Sequence, residues 1–321
     1  MRSSQEIRGL SPKSLKLSAP LPSATKEETI QTQQQALIAK TRQTPPFIYH
    51  MTSLQKHLNT YSEEDYFCQL FREHFNQTYQ AMMFVKYLKP VDPQALNAKK
   101  INLPKRKGYE SNKHLFSSKT KRFIIDKRTI VFDLDETLIH CNESLELPYH
   151  VKLPIKFPHG DIIEAGINIR PYAFEALKEL SQHFEIIVFT ASHGCYANVV
   201  LDYLDPQGQY IHHRLFRESC VQTEEGIYVK DLRVLANRNL DDVVLVDNAA
   251  YSFAYQIDNG IPIAPYYDNP DDDELKHLVP YLKFLNNVRD MREINRETFK
   301  LNMYAMYESI DRVLENVILT N

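Results

Sequence analysis

The chain has 321 residues, 43% of them hydrophobic and 25% charged, a balance that implies a soluble globular core. Its formal charge, 38 − 41 = −3, gives no overall reason to expect a nucleic-acid partner. The four cysteines, Cys68, Cys141, Cys195 and Cys220, are too dispersed for a disulfide framework or a zinc knuckle, and no apolar run reaches the ~18 residues a membrane span requires.

The cysteines read as buried thiols in a reducing compartment. The amino terminus, "MRSSQEIRGLSPKS", lacks the apolar stretch of a secretory signal, so the nucleus or the cytoplasm is the expected location. Residues 1–50 are rich in Ser, Thr, Gln and Pro and read as a disordered tail. Residues 51–121 read as a helix followed by a basic linker. Within them, Phe67, Leu70, Phe71, Phe75, Met82 and Met83 recur at helical spacing over 62–88, Ser62 is a candidate cap, and Pro90 ends the pattern. The linker contains "KRK" at Lys105–Lys107, a short nuclear-localisation candidate. Its charge is not interleaved with the aromatic residues that single-stranded nucleic acid stacks on, so direct nucleic-acid binding is not expected.

Residues 122–286 alternate between apolar runs and amphipathic stretches. "TIVFD", "FEIIVFT" and "DVVLVD" read as long buried strands, "HHRLF", "GIYVK" and "IPIAPYY" as shorter ones. "AFEALKELSQHF", opened by Pro171, "HGCYANVVLDYLD" and "DDDELKHLVPYLKFL" read as helices. This order predicts an α/β domain, an open and mostly parallel sheet with helices on both faces. Between Ile139 and Arg170, "HVKLPIKF" and "DIIEAGINI" predict two short strands beside the ligand side of the sheet, an insertion placed to frame substrate access. Residues 287–321 read as a helical extension of one or two helices. Their stripe of Phe299, Met303, Met306, Tyr307, Ile310, Val313, Leu314 and Val317 suits packing on the chain's own domain, against the helix at 62–88, or a helix-mediated protein partner.

Three of the strands end in polar residues on the side where open sheets bind ligands: Asp133, Thr190 in "TAS", and Asp247 in "DNA". Asp133, fixed by the buried "TIVF", suits a nucleophile or a metal ligand. Asp135 leaves the strand toward the same space, Glu136 points elsewhere, and Thr137 steadies the loop. Clustered carboxylates need a compensating cation, and the oxygens of Asp133, Asp247 and Asn248 suit Mg²⁺ rather than zinc. Lys230 could neutralise a phosphate or sit in solvent at a helix start. Thr190 and Ser192 offer hydroxyls to phosphate oxygens, and the backbone of "TASHG" offers N–H groups.

Together these stretches carry a resemblance. "VFDLDETLIH" fits the DxDxT signature of the haloacid dehalogenase superfamily. With "VFTAS", "YANVVLDYLDP", "HHRLFRESC", "YVKDL", "VVLVDNAAYSF" and "YYDNPDDDELKHLVPYL" in order, the domain resembles the FCP/SCP-like protein serine/threonine phosphatases. It is more similar to the small CTD phosphatases and Dullard-like members than to the large form. The resemblance implies Asp133 as the nucleophile. It implies Asp135 as general acid and then base, with its backbone carbonyl toward the metal. Asn248 is implied as a Mg²⁺ ligand with Asp247 beside it, Thr190 and Lys230 as phosphate ligands, and Arg217 as a less direct one. It implies a phosphorylated protein substrate, and an apolar groove in the insertion would favour proline-directed sites such as those of the RNA polymerase II C-terminal tail. The insertion is too short for the cap domain of small-molecule phosphatases. A scaffold that had lost catalysis would have lost Asp133 or Asp135 first. Two departures stand out: "DNAA" in place of the family's "DNSP", and Tyr266 in place of its tryptophan, in a chain with no Trp.

Overall fold

The computed structural model describes residues 66–104 and 127–318. The tail at 1–50, the cap at Ser62, the "KRK" run and most of the basic linker lie outside the described residues.

A five-stranded, wholly parallel sheet carries the domain. Its strands are β1 (Thr129–Phe132), β5 (Glu185–Phe189), β6 (His213–Leu215), β9 (Val243–Asp247) and β10 (Gly260–Pro262), in the spatial order β10-β9-β1-β5-β6. β1, β5 and β9 are buried along their whole length, which is why they read as unbroken apolar runs rather than as alternation. Strand β1 lies between β5 and β9, with Phe132 level with Val188 and Val246. The order turns at β1 in both directions, so the carboxyl ends of these three strands meet at the switch point of the sheet.

Helices α1 (Tyr66–Val85), α2 (Pro93–Ala98), α3 (Ala173–His183), α4 (Gly194–Leu204), α5 (Glu274–Leu285) and α6 (Met291–Phe299) surround the sheet. Helix α3 packs on α5, and α6 on β9 and β10. Pro171 does not itself open α3. The helix starts two residues later, after Tyr172 takes a left-handed conformation (φ 65°) at the cap.

The insertion holds three strands rather than two. β2 (Ile139–Cys141), β3 (Val151–Lys156) and β4 (Ile162–Ile169) form an antiparallel sheet in the order β2-β4-β3, and β3 rests against α4. A further pair, β7 (Val221–Gln222) with β8 (Tyr228–Val229), delivers Lys230.

The carboxyl-terminal segment is broken more finely than one or two helices. After α6, Lys300 turns left-handed (φ 49°), and two single turns follow, α7 (Leu301–Tyr304) and α8 (Ile310–Val313), before a last turn at Leu314–Ile318. Phe299, Tyr304, Val313 and Val317 are buried, whereas Met306 of the predicted stripe faces solvent. Helix α1 packs against α7, α8 and the short helical turn Ala250–Phe253 that follows Asn248. The Tyr79 hydroxyl donates to the Tyr307 carbonyl at 3.1 Å. Residues 101–103 continue along the domain: Ile101 bridges Leu235, and Leu103 exchanges hydrogen bonds with the Asn237 side chain. Of the cysteines, Cys220 is buried, but Cys141 and Cys195 are only half-buried, and all three are free thiols. Among the described residues, no helix is long and apolar enough to cross a membrane.

Candidate active site

The register of β1 sets the first carboxylate. The Asp133 N–H donates to the Val246 carbonyl at 2.9 Å, continuing the ladder one residue past the strand, so the side chain emerges level with Asp247. Lys230, buried like both carboxylates, reaches between them. Its Nζ donates to Asp133 Oδ1 at 2.5 Å and to Asp247 Oδ2 at 2.6 Å. Its backbone N–H donates to the Ser252 carbonyl at 2.8 Å, which ties the lysine to the Ala250–Phe253 turn. The solvent-lysine alternative for Lys230 is therefore wrong: two buried anions hold it inside.

The second carboxylate has different company. Asp135 Oδ2 accepts from Ser192 Oγ at 2.7 Å and from Thr190 Oγ1 at 3.2 Å, and Oδ1 accepts from the Tyr196 hydroxyl at 2.7 Å. Thr190 Oγ1 also accepts the Ser192 N–H at 2.9 Å, which shapes the "TAS" turn. The hydroxyls of Thr190 and Ser192 are thus both engaged by Asp135 Oδ2. Sequence reasoning missed Tyr196. Its only signal was an aromatic residue in the first turn of the helix that follows "TAS".

The third acid stands apart. Glu136 adopts a left-handed backbone (φ 57°), and its Oε1 lies 3.1 Å from His140 Nδ1, away from Asp133 and Asp135. Arg217 is also not in the carboxylate cluster. Its Nε donates to the Ala191 carbonyl, its Nη1 faces His193 Nε2 at 3.0 Å, and its guanidinium lies over the Tyr228 ring. In this structure it braces the "TAS" loop.

The charge balance is uneven: Asp133, Asp135 and Asp247 face one ammonium. Burial pushes the Asp133 carboxyl above its ordinary value. Lys230 opposes that rise, and Asp247 and Asp135 add to it. Burial works against the charge on Lys230, but the two carboxylates outweigh it and hold the ammonium firmly protonated. Burial, then the Asp135 charge, pushes the Tyr196 phenol far above its ordinary value, so it remains a donor.

This donor set fits a hard divalent cation. Thr137 Oγ1 lies 3.3 Å from Asp133 Oδ2 and 3.2 Å from Asn248 Oδ1, yet one hydroxyl has one proton to give. One of those oxygens is left for another partner, in a site with surplus negative charge and oxygen ligands only. Among the described residues, no three His, Cys, Asp or Glu side chains are arranged to hold a metal by themselves. Asp133 and Asn248, whose oxygens share the single Thr137 hydroxyl, are the side chains that would hold one. Asp247 has a different job: Oδ2 pairs with Lys230, and Oδ1 accepts the Ala249 N–H at 2.8 Å.

A family model described as NLI interacting factor-like phosphatase matches residues 128–292, 165 of the 321. The chain belongs to the NLI interacting factor-like phosphatase family. Over 176 residues it is 46% identical to CTD small phosphatase-like protein 2 of Dictyostelium discoideum, covering 54% of this chain and 30% of that one. Over 172 residues it is 38% identical to the human carboxy-terminal domain RNA polymerase II polypeptide A small phosphatase 1, covering 54% and 64%. In both cases the chain spans less than two thirds of the relative's own length. The solved fission yeast RNA polymerase II CTD phosphatase Fcp1 is similar over 60% of this chain and 62% of its own, at 19% identity and a TM-score of 0.37.

The two departures from the family pattern have local explanations. In "DNAA", Ala249 supplies a backbone N–H to Asp247, and Ala250 opens the turn that backs Lys230. Neither role needs the family's Ser-Pro. Tyr266 is buried rather than part of a surface. Its hydroxyl donates to the Ile169 carbonyl at 3.1 Å, its ring lies under Arg170, and its N–H donates to the Glu136 carbonyl. This chain therefore ties the insertion to the acidic loop through a tyrosine.

Proposed function

We propose that the chain hydrolyses phosphoserine and phosphothreonine in proteins, with Mg²⁺, through a phosphoryl group carried transiently on Asp133. The observation that carries this reading is the unequal treatment of two neighbouring carboxylates. Asp133 is buried against an ammonium, and Asp135 is held by three hydroxyls across from it. That suits a nucleophile beside a proton carrier.

In the first step a carboxylate oxygen of Asp133 bonds to phosphorus as the bond from phosphorus to the seryl oxygen breaks. Asp135 gives its proton to that oxygen, and the alcohol leaves. In the second step Asp135 takes a proton from water, the water oxygen bonds to phosphorus, and inorganic phosphate departs from the restored Asp133. Lys230 opposes the burial-driven rise of the Asp133 carboxyl and offers positive charge to the phosphoryl oxygens, and Thr190 and Ser192 turn their hydroxyls toward them. Asp133, the Asp135 carbonyl and Asn248 would hold Mg²⁺, which would add positive charge to stabilise the phosphoryl group.

The relatives' names and the exposed apolar face of the insertion support this substrate class. The human relative is named for the RNA polymerase II carboxy-terminal domain. The insertion here exposes Ile162 and Ile163 (62% and 56%), which suits an apolar contact beside a phosphosite in an extended peptide. The test is hydrolysis of phosphoserine peptides by the full chain with and without Mg²⁺, against Asp133→Asn. The expected result is Mg²⁺-dependent release of phosphate, reduced by about 10⁴-fold or more in the variant. Equal rates for variant and wild type would overturn the role of Asp133.

A further inference from the structure

Resting on that phosphatase reading, we propose that Tyr196 is a positioning residue: its hydroxyl holds Asp135 in register with the leaving oxygen while the other two donors turn to the phosphate.

The argument starts from which oxygen each donor holds. Thr190 and Ser192 both engage Asp135 Oδ2. These are the hydroxyls that an incoming phosphoryl group would recruit, because they stand at the end of β5 beside Asp133. When they turn, Oδ2 loses both partners at the moment it must face the leaving oxygen. Tyr196 engages the opposite oxygen, Oδ1, at 2.7 Å, and does not compete for the phosphate. It is the only one of the three donors that can stay in place through the step.

The fold holds this phenol firmly. Tyr196 sits in the first turn of α4, where its own N–H donates to the His193 carbonyl at 3.1 Å. The helix begins at Gly194, where a Cβ would meet the Phe216 ring at 3.1 Å, so the glycine lets α4 start close against the chain beyond β6. On the other side the Cys141 thiol of β2 lies beside the Tyr196 hydroxyl. Tyr196 thus stands between the insertion and the acidic loop. Asp135 is held less firmly: it lies past the end of β1, tied by a single isolated bridge to Ile139 rather than by the sheet ladder, and is half-buried. A carboxylate held at one oxygen only by hydroxyls due to leave would rotate, and misplacement of about 1 Å in a reacting group costs about 100-fold.

The experiment compares Tyr196→Phe with wild type in the full chain, in single turnovers, on two substrates. One is a phosphoserine peptide, whose alkoxide leaving group needs a proton from Asp135. The other is p-nitrophenyl phosphate, whose nitrophenolate leaves without one. The expected result is first-turnover release of the serine peptide slowed about 10- to 100-fold, within the range that general acid catalysis supplies. KM should stay within about threefold, and first-turnover nitrophenolate release should change less than about threefold. Equal slowing on both substrates, no slowing on either, or a raised KM at unchanged kcat would each overturn the proposal. The last two would make Tyr196 a bystander or a substrate contact. A wild-type chain that releases nitrophenolate but never cleaves a phosphoserine peptide would overturn the phosphatase reading together with it. A phosphopeptide-active wild type with an indifferent Tyr196→Phe would overturn this inference alone.

Discussion

The two sheets of the molecule treat isoleucine in opposite ways. In the parallel sheet Ile130 is fully buried between two neighbouring strands, while in the insertion sheet Ile162 and Ile163 stand in solvent. One sheet uses apolar side chains to fix a carboxylate in place, and the other leaves two of them in solvent. The difference follows from coverage. Both β1 and β4 lie between two strands, but β1 is buried along its whole length, whereas β4 leaves its outer half uncovered. The buried sheet that fixes Asp133 and the sheet that exposes apolar side chains are thus separate elements.

The sharpest way to break the parallel-sheet half of that contrast is Lys230→Met. It leaves Asp133 and Asp247 buried without their shared ammonium, and removal of one partner from a buried ionic group costs about 3–5 kcal/mol. Thermal unfolding should fall accordingly, and phosphatase activity with it; an unchanged Tm would mean that the cluster carries no such charge coupling.

Next in size is a pH effect at the opposite end of the same sheet. Burial alone would raise the Glu185 carboxyl, but hydrogen bonds from His213, Arg238 and Thr129 outweigh it and lower its value from 4.5 to about 2. A depressed carboxyl stabilises the fold above its unfolded value, and that stabilisation fades as pH falls from about 4.5 toward 2. The loss is on the order of 3 kcal/mol. Denaturant unfolding across that window should show the slope in wild type and lose this contribution in Glu185→Gln.

The smaller predictions set one substitution in both sheets. Ile130→Val should cost about 0.5–1.5 kcal/mol by calorimetry. Ile163→Val should stay within about 0.5 kcal/mol while raising the phosphopeptide KM. Equal costs at the two positions would erase the distinction between them.

The sequence made some of this legible and hid the rest for physical reasons. β1, β5 and β9 were readable because a strand buried on both faces must be apolar throughout, and Asp133, Thr190 and Asp247 were readable because each follows such a run. The three-residue β2 was hidden: "IHC" is too short for periodicity, and pairing with β4 alone makes it a strand. The sequence left Lys230 between a phosphate ligand and a solvent lysine because nothing local shows that Asp133 and Asp247, 97 and 17 residues away, close over it. Tyr196 was hidden because helical spacing assigns a first-turn tyrosine to packing, and only the docking of α4 against the acidic loop turns its hydroxyl to Asp135. The breaks at Tyr172 and Lys300 were unreadable because neither residue favours a left-handed backbone; the surrounding packing imposes it.

The central claim is that Asp133 carries the phosphoryl group during turnover. Rapid acid quench of the full chain with a phosphoserine peptide, followed by mass spectrometry of its proteolytic fragments, tests it directly. The account predicts a hydroxylamine-labile phosphate on the fragment containing Asp133, absent in Asp133→Asn. A phosphorylated fragment that excludes Asp133, or turnover with phosphate never found on the protein, would contradict it.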